Sequence, residues 1–283
     1  KYPYTVASRN IRAMQEDIRK CLEEKKIDVI NVDFPHMCVN LLNINTNIPI
    51  VLNEHNIEWK VYQTISKSQK NILKKMAYKI DSYRLKVFEE KIFKKLQINR
   101  VTFVSDDDMN FMVRSGICNN EQVVLIPVGA DLQQNVSRIK HDGKNIIFIG
   151  KMSYGPNIEA VTWFTNEILP LIHEKEKNVK FYIVGKDPTE YIKSLASEKV
   201  IVTGQVDSVD KYYSIADLVV LPLKNGGGVK VKLLEAIAYR SMVVSSSKGV
   251  EGTLYKDGKT VPIADDSKSF ANYCIRGLQN DIE

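Results

Sequence analysis

Cysteine is scarce in this chain of 283 residues, and the four present, Cys21, Cys38, Cys118 and Cys274, stand far apart with no CxxC pair. That spacing excludes a zinc ribbon and a disulfide framework, and it suits a reducing cytoplasm. Histidine is equally sparse: His36, His55, His141 and His173 form no HExxH, and no Asp/Glu cluster completes a metal site. GxSxG, GxxxxGK[ST] and GxGxxG are all missing, which removes the hydrolase elbow, the P-loop and the dinucleotide fingerprint. Apolar runs stop short of the roughly 18 residues that a membrane span needs. Charge is not extreme either. A net of +6 with no RNP or paired Cys/His sequence gives no reason to expect nucleic acid as a partner. Lys1-Tyr-Pro-Tyr4 has neither an initiator Met nor a signal-peptide layout, so natural chain is expected upstream.

What is present is alternation. Short apolar runs separated by amphipathic stretches predict an α/β fold built from βαβ units. Strands are expected at Ile27–Phe34, Pro49–Asn53, Arg100–Val104 and Gln122–Ile126, then at Asn145–Ile149, Val179–Val184, Val200–Thr203, Leu218–Leu223, Ser241–Ser245 and Thr260–Ile263. A long helical region, read as two helices, spans Glu58–Leu96, and a last helix covers Asp266–Gln279. The polar Gly129–Lys144 segment with Asp142-Gly143 reads as a linker, which places one domain at 1–132 and a second at 133–283. The first has too few strands to be complete.

The most informative stretch runs from Leu218 through Gly226-Gly227-Gly228 and Val229 into a helix. Three glycines free the backbone for positive φ and close ligand approach. The helix that follows favours an anion at its N-terminus by ~0.3–2 kcal/mol. Lys230 and Lys232 sit in that first turn, where a bound anion offsets the electrostatic cost, and Glu235 can accept hydroxyl hydrogen bonds. The same residues also fit a plain connection with solvated lysines.

In open α/β sheets, ligands bind beyond the carboxyl ends of the strands. Three further strand ends carry glycine: Gly150-Lys151 followed by Pro156-Asn157, Gly185-Lys186-Asp187-Pro188, and Gly204-Gln205-Val206. His55, in Asn53-Glu54-His55-Asn56, sets a histidine beside a carboxylate at another strand end, suited to acid/base work or to orienting a hydroxyl. His36 occupies the equivalent place after the preceding strand. His141 and His173 read as surface residues. Glu58–Arg100 holds 12 Lys/Arg against 4 Asp/Glu. Its lysines, among them Lys67, Lys70, Lys74, Lys75 and Lys79, alternate with Ile72, Leu73, Met76, Val87 and Phe88. Such a basic amphipathic pattern suits an anionic membrane surface, or a core-packing helix with a solvated basic face.

Phe148-Ile-Gly-Lys-Met-Ser-Tyr-Gly-Pro-Asn157, Phe181-Tyr-Ile-Val-Gly185, Val202-Thr-Gly-Gln-Val206 and Ala216–Ala238 together resemble the donor domain of GT-B-fold retaining glycosyltransferases, the group 1 or family 4 class. More weakly, Asn53-Glu-His-Asn56, Val104-Ser105 and Ile126-Pro-Val-Gly-Ala-Asp131 are similar to its acceptor domain. The resemblance implies two Rossmann-like domains facing a cleft. It implies a nucleotide diphosphate sugar as donor, a glycan or lipid-linked acceptor, retention of anomeric configuration, and no metal or other cofactor. It places Lys151 on the diphosphate, Glu235 on the ribose, Gly204 and Gln205 near the base, and His55 near the transferred sugar. Lys151, Lys230 and His55 are thereby the expected catalytic groups, with Gly150, Asn157, Gly226–Gly228, Val229, Lys232 and Glu235 around the donor.

Two departures stand out. The carboxylate expected eight positions before Glu235 is Gly227, and a second basic residue expected six positions after Lys151 is Asn157, so Lys230 or Lys232 is expected to supply its charge. The acceptor domain's upstream strands and the family's final crossing helix are also missing from the pattern. The resemblance leaves a non-catalytic nucleotide-sugar-binding subunit and a nucleotide-sugar epimerase as alternatives. It also makes a cytoplasmic location, with the 58–100 region against the inner face of the cell membrane, the expected setting.

Overall fold

The computed structural model describes residues 2–69, 71–132, 139, 144–256 and 258–279. It divides the chain into two compact units, Lys1–Pro127 and Val128–Glu283. Most of the expected linker, with His141, and Lys70 in the basic run lie outside the described residues.

The first unit is a parallel sheet whose strands follow sequence order: β1 (Ile30–Asp33), β2 (Ile50–Glu54), β3 (Ile98–Phe103) and β4 (Val123–Leu125). Parallel neighbours require crossovers, and the longest supplies two helices, α1 (Glu58–Ser68) and α2 (Ile72–Lys95). Asn71 starts α2 by accepting hydrogen bonds from the amides of Leu73 and Lys74. Leu85, Phe88 and Ile92 of α2 pack into the core with Leu52, Val101 and Phe103 of the sheet. Only the second half of α2 is anchored in this way. Leu73, Met76, Ile80, Tyr83 and Val87 are 46–74% exposed, so a simple core-packing helix with a polar outer face does not describe it.

The second unit holds β5 (Lys144–Ile149), β6 (Val179–Val184), β7 (Val200–Gly204), β8 (Leu218–Leu221) and β9 (Val243–Ser245), all parallel, in the order β7-β6-β5-β8-β9. The chain winds outward from β5 one way and then the other, so the order reverses between β5 and β8. Both faces are covered, which is why Ile146–Ile149 of β5 and the whole of β8 are continuous apolar runs. Phe148 joins Phe164, Phe181 and Phe270 on one side, while Ile147 and Val219 join Tyr213 and Leu233 on the other.

Several expected elements end differently. β1 starts at Ile30 instead of Ile27 and stops before Phe34, whose φ of 72° turns the chain. β8 ends at Leu221 because Pro222 has no N–H for the ladder. Thr260–Ile263 is not a strand; it makes one parallel bridge, Ser245 with Ile263. Pro262 offers only its carbonyl, which accepts from the Ser245 N–H.

Candidate active site

The reversal between β5 and β8 brings the loops that leave these two strands to one end of the sheet, ahead of helices α3 (Gly155–Trp163) and α4 (Val231–Ala238). Gly150 follows β5 directly. A Cβ there would lie 2.7 Å from Asn157 Nδ2 and 2.9 Å from Lys232 Nζ, so a larger residue would displace the ends of these two side chains. Asn157, buried on α3, donates from Nδ2 to the Lys151 carbonyl at 2.9 Å and accepts at Oδ1 from Lys232 Nζ at 2.7 Å. The Lys232 ammonium also lies 4.5 Å from the centre of the Phe148 ring. Burial, and then repulsion from Lys230, lowers its pKa to about 8, with Glu235 opposing. An anion placed here restores a cation that the protein has partly desolvated.

In the triple-glycine loop, Gly226 and Gly228 take φ of 114° and 68°. Lys230, 8% exposed, turns its ammonium back beneath the loop and donates to the carbonyls of Gly226, Gly227 and Gly228 at 3.5, 3.1 and 2.5 Å. The Glu251 carboxylate lies 3.9 Å away. The sequence places both lysines on one ligand; the structure separates them, with Lys230 holding the loop and Lys232 reaching Asn157. Val229 is half-buried between loop and helix. Helix α4 then begins without a side-chain cap, which leaves its first amides for another acceptor. Glu235 follows Lys232 by three residues and shares its face of the helix.

Lys151 lies 3.4 Å from Asp187, both half-exposed, and Asp187 itself has a φ of 58°. Gly185 (φ 147°) passes so close to β5 that a Cβ would fall 1.8 Å from the Gly150 carbonyl oxygen. Its N–H donates to Gly204 at 3.2 Å, and Gln205 beyond is exposed. Gly150, Lys151, Asn157, the glycine loop, Lys230, Lys232 and Glu235 are therefore grouped around the β5–β8 reversal. Gly204 and Gln205 stand two strands away from β5.

In the first unit, His55 Nε2 lies 2.7 Å from Asp33 Oδ1, joining the carboxyl ends of β1 and β2. Phe34 packs against His55 with ring centres 4.4 Å apart and stacks on His36 at 5.2 Å. Glu54, the sequence neighbour expected to partner His55, points the other way into the core, where neither carboxyl oxygen has a hydrogen-bond partner among the described residues. Asp33 was the missed group. As the last residue of a strand, paired in register with Asn53, it meets the same strand-end rule that selected His55. His36 is buried, and burial followed by the Arg9 charge lowers its pKa to about 4, which leaves it neutral at pH 7. His173 is half-buried, not a free surface residue, and its Nε2 lies 3.0 Å from the Val179 carbonyl. Among the described residues no group of three or more His, Cys, Asp or Glu is placed to hold a metal ion, and no helix is long and apolar enough to cross a membrane.

Residues 143–280 match the family described as group 1 glycosyl transferases. An uncharacterised 44.6 kDa protein of the cps region of Klebsiella pneumoniae is 25% identical over 242 residues, covering 81% of this chain and 60% of its own length. The chain thus spans less than two thirds of that relative. A glycosyltransferase structure from Rickettsia africae has a TM-score of 0.68 at 12% identity and covers 99% of this chain and 72% of its own. The E. coli trehalose-6-phosphate structure bound with UDP-2-fluoro glucose has a TM-score of 0.62 at 11% identity, covering 95% and 69%. The fold is that of the GT-B glycosyltransferases, α/β with two parallel sheets.

Proposed function

We propose, from the match of residues 143–280 to the family described as group 1 glycosyl transferases, that the protein moves a hexose-type sugar from a nucleotide diphosphate sugar to a glycan or lipid-linked acceptor with retained anomeric configuration. The observation that carries the proposal is the β5–β8 end of the second sheet. There Lys232 is held by Asn157 beside Gly150, next to a glycine loop and an uncapped helix N-terminus. As the bond from the anomeric carbon to the diphosphate breaks, negative charge grows on the departing oxygen. Lys232, Lys151 and the first amides of α4 are the groups that stabilise it. In this reading they take the part of a divalent metal, and none is required.

Lys230 acts by fixing the loop that receives the β-phosphate. Glu235 accepts hydrogen bonds from the ribose, with Gly204 and Gln205 on the side of the base. In the first unit, Asp33 accepting from His55 Nε2–H leaves Nδ1 to accept a hydrogen bond from a sugar hydroxyl. The UDP-2-fluoro glucose of the E. coli structure supports the donor class, and the cps region of the Klebsiella relative supports a polysaccharide or its lipid-linked precursor as acceptor. In this proposal the reaction takes place in the cytoplasm, and the excess of Lys and Arg over Asp and Glu in the 58–100 region supports its contact with the anionic inner face of the cell membrane.

Incubation with UDP- and GDP-hexoses in EDTA, with products followed by proton NMR, tests this. A new α-glycoside from an α-linked donor is expected. Donor binding without turnover points instead to a nucleotide-sugar-binding subunit, the reading favoured by Gly227 in place of a carboxylate. An altered donor with no new glycosidic bond points to epimerisation.

A further inference from the structure

Helices α1 and α2 form an antiparallel pair: Ser82 Oγ donates to the Trp59 carbonyl at one end and Ser66 Oγ to the Lys75 carbonyl at the other, at 2.8 and 2.9 Å. A cavity of about 430 Å³ opens between them. Four of its lining residues are Lys67, Lys75, Lys79 and Lys86, and none is acidic. Lys86 lies 3.9 Å from Glu90; no ion pair involves the other three among the described residues. Trp59 also lines the groove. It is 9% exposed, and its indole N–H has no acceptor among the described residues. A wall of donors and cations that holds no acidic residue, and in which Lys86 alone of the four lysines has an ion-pair partner among the described residues, is the chemistry of an anion site.

Beside this groove runs the seam Leu73, Met76, Ile80, Tyr83 and Val87, spaced 3-4-3-4 and turned away from the buried Leu85, Phe88 and Ile92. At 100° per residue, the row Lys75, Lys79 and Lys86 borders one edge of the seam, and Arg84, Lys91 and Lys95 border the other. An apolar stripe with cationic margins fits the boundary of an anionic bilayer, where apolar side chains enter and lysines reach phosphate. A second copy of the same seam would set like-charged rows against each other.

We infer that α2 lies on an anionic membrane along this seam and that the α1–α2 groove receives the phosphate headgroup of one anionic lipid. The inference rests on the membrane contact proposed above and deepens it. Its readout involves no sugar, so failed glycosyl transfer leaves it standing and failed lipid binding leaves the transferase reading standing.

The test is flotation with phosphatidylglycerol-containing vesicles and with pure phosphatidylcholine vesicles, together with tryptophan emission. Binding to the anionic vesicles alone is expected, with an emission change that Trp59→Phe abolishes. Lys75→Gln with Lys79→Gln should weaken vesicle binding by about tenfold or more and remove the emission change. Leu73→Ser with Ile80→Ser should abolish flotation while glycerol 3-phosphate at high concentration still perturbs Trp59. Equal binding to both vesicle types, or an unaltered emission response in the lysine double variant, overturns the inference. So does a response to inorganic phosphate without vesicle binding, which marks a soluble ligand, and so does a concentration-dependent dimer without vesicle binding, which marks a contact between copies.

Discussion

The Lys232 ammonium is hydrogen-bonded to the Asn157 side chain at 2.7 Å, so a cation reaches the position on α3 where the glycosyltransferase resemblance expects a basic residue and this chain has Asn157. The charge has changed helices without leaving the site. Because Gly150 has no side chain, the lysine can pass over β5 to get there.

Lys232 should make nucleotide binding pH-dependent. Burial and Lys230 lower its pKa to about 8, whereas a bound diphosphate favours the protonated form. Affinity is therefore full below pH 8 and falls as pH rises through it. Calorimetry with UDP at pH 7 and pH 9.5 should show a loss of about tenfold, equivalent to ~1.4 kcal/mol. Lys232→Gln should bind more weakly at pH 7 and lose most of that pH dependence.

The two lysines of the loop should separate under mutation. Lys230→Met leaves three glycine carbonyls without their shared donor and should lower unfolding stability by ~1–3 kcal/mol in urea titrations. Lys232→Gln should leave the urea midpoint nearly unchanged while weakening nucleotide binding.

Gly185→Ala should be more damaging than Gly204→Ala. A Cβ at Gly185 would fall 1.8 Å from a backbone oxygen, in a sheet whose β5 and β6 ends cannot separate without breaking the core; at Gly204 it meets open space. Gly204→Ala is left with the strain of its positive φ, ~1–2 kcal/mol. Loss of soluble folded protein for the first variant, and a modest fall in melting temperature for the second, would bear this out by circular dichroism.

Glu54 and Glu89 provide a stability switch with a defined sign. Both are buried, 2% and 1% exposed. Burial is the larger cause that raises their pKa values, followed by Glu89, Glu58 and Asp108 for Glu54 and by Glu58 for Glu89. The folded state therefore binds protons that the unfolded chain releases near pH 4.5, and stability falls as pH rises above that value. Glu89→Gln should raise the melting temperature at pH 8 and change it little at pH 4.5. An equal effect at both values would contradict the assignment.

Much of the second unit was legible from the chain because its strands are short buried runs such as Val179–Val184, which begin and end as expected. The strand-end rule also gathered Gly150, Lys151 and Gly226–Gly228, since a doubly wound sheet converts chain order into proximity. Three-dimensional partners were not legible. Nothing local shows that Lys230 folds back onto carbonyls while Lys232 crosses to Asn157, or that His55 pairs with Asp33, 22 residues away, and not with adjacent Glu54. The strand expected at Thr260–Ile263 failed on Pro262, whose missing N–H outweighs the apolar pattern around it.

The proposed donor site is tested most directly by calorimetric titration of UDP, GDP and ADP into the wild-type protein and into Lys232→Gln and Glu235→Ala, with folding checked by circular dichroism. The account predicts that at least one of these nucleoside diphosphates binds and that each substitution weakens it by about tenfold, ~1.4 kcal/mol, in a folded protein. No binding by any of the three, or unchanged affinity in both variants, contradicts it.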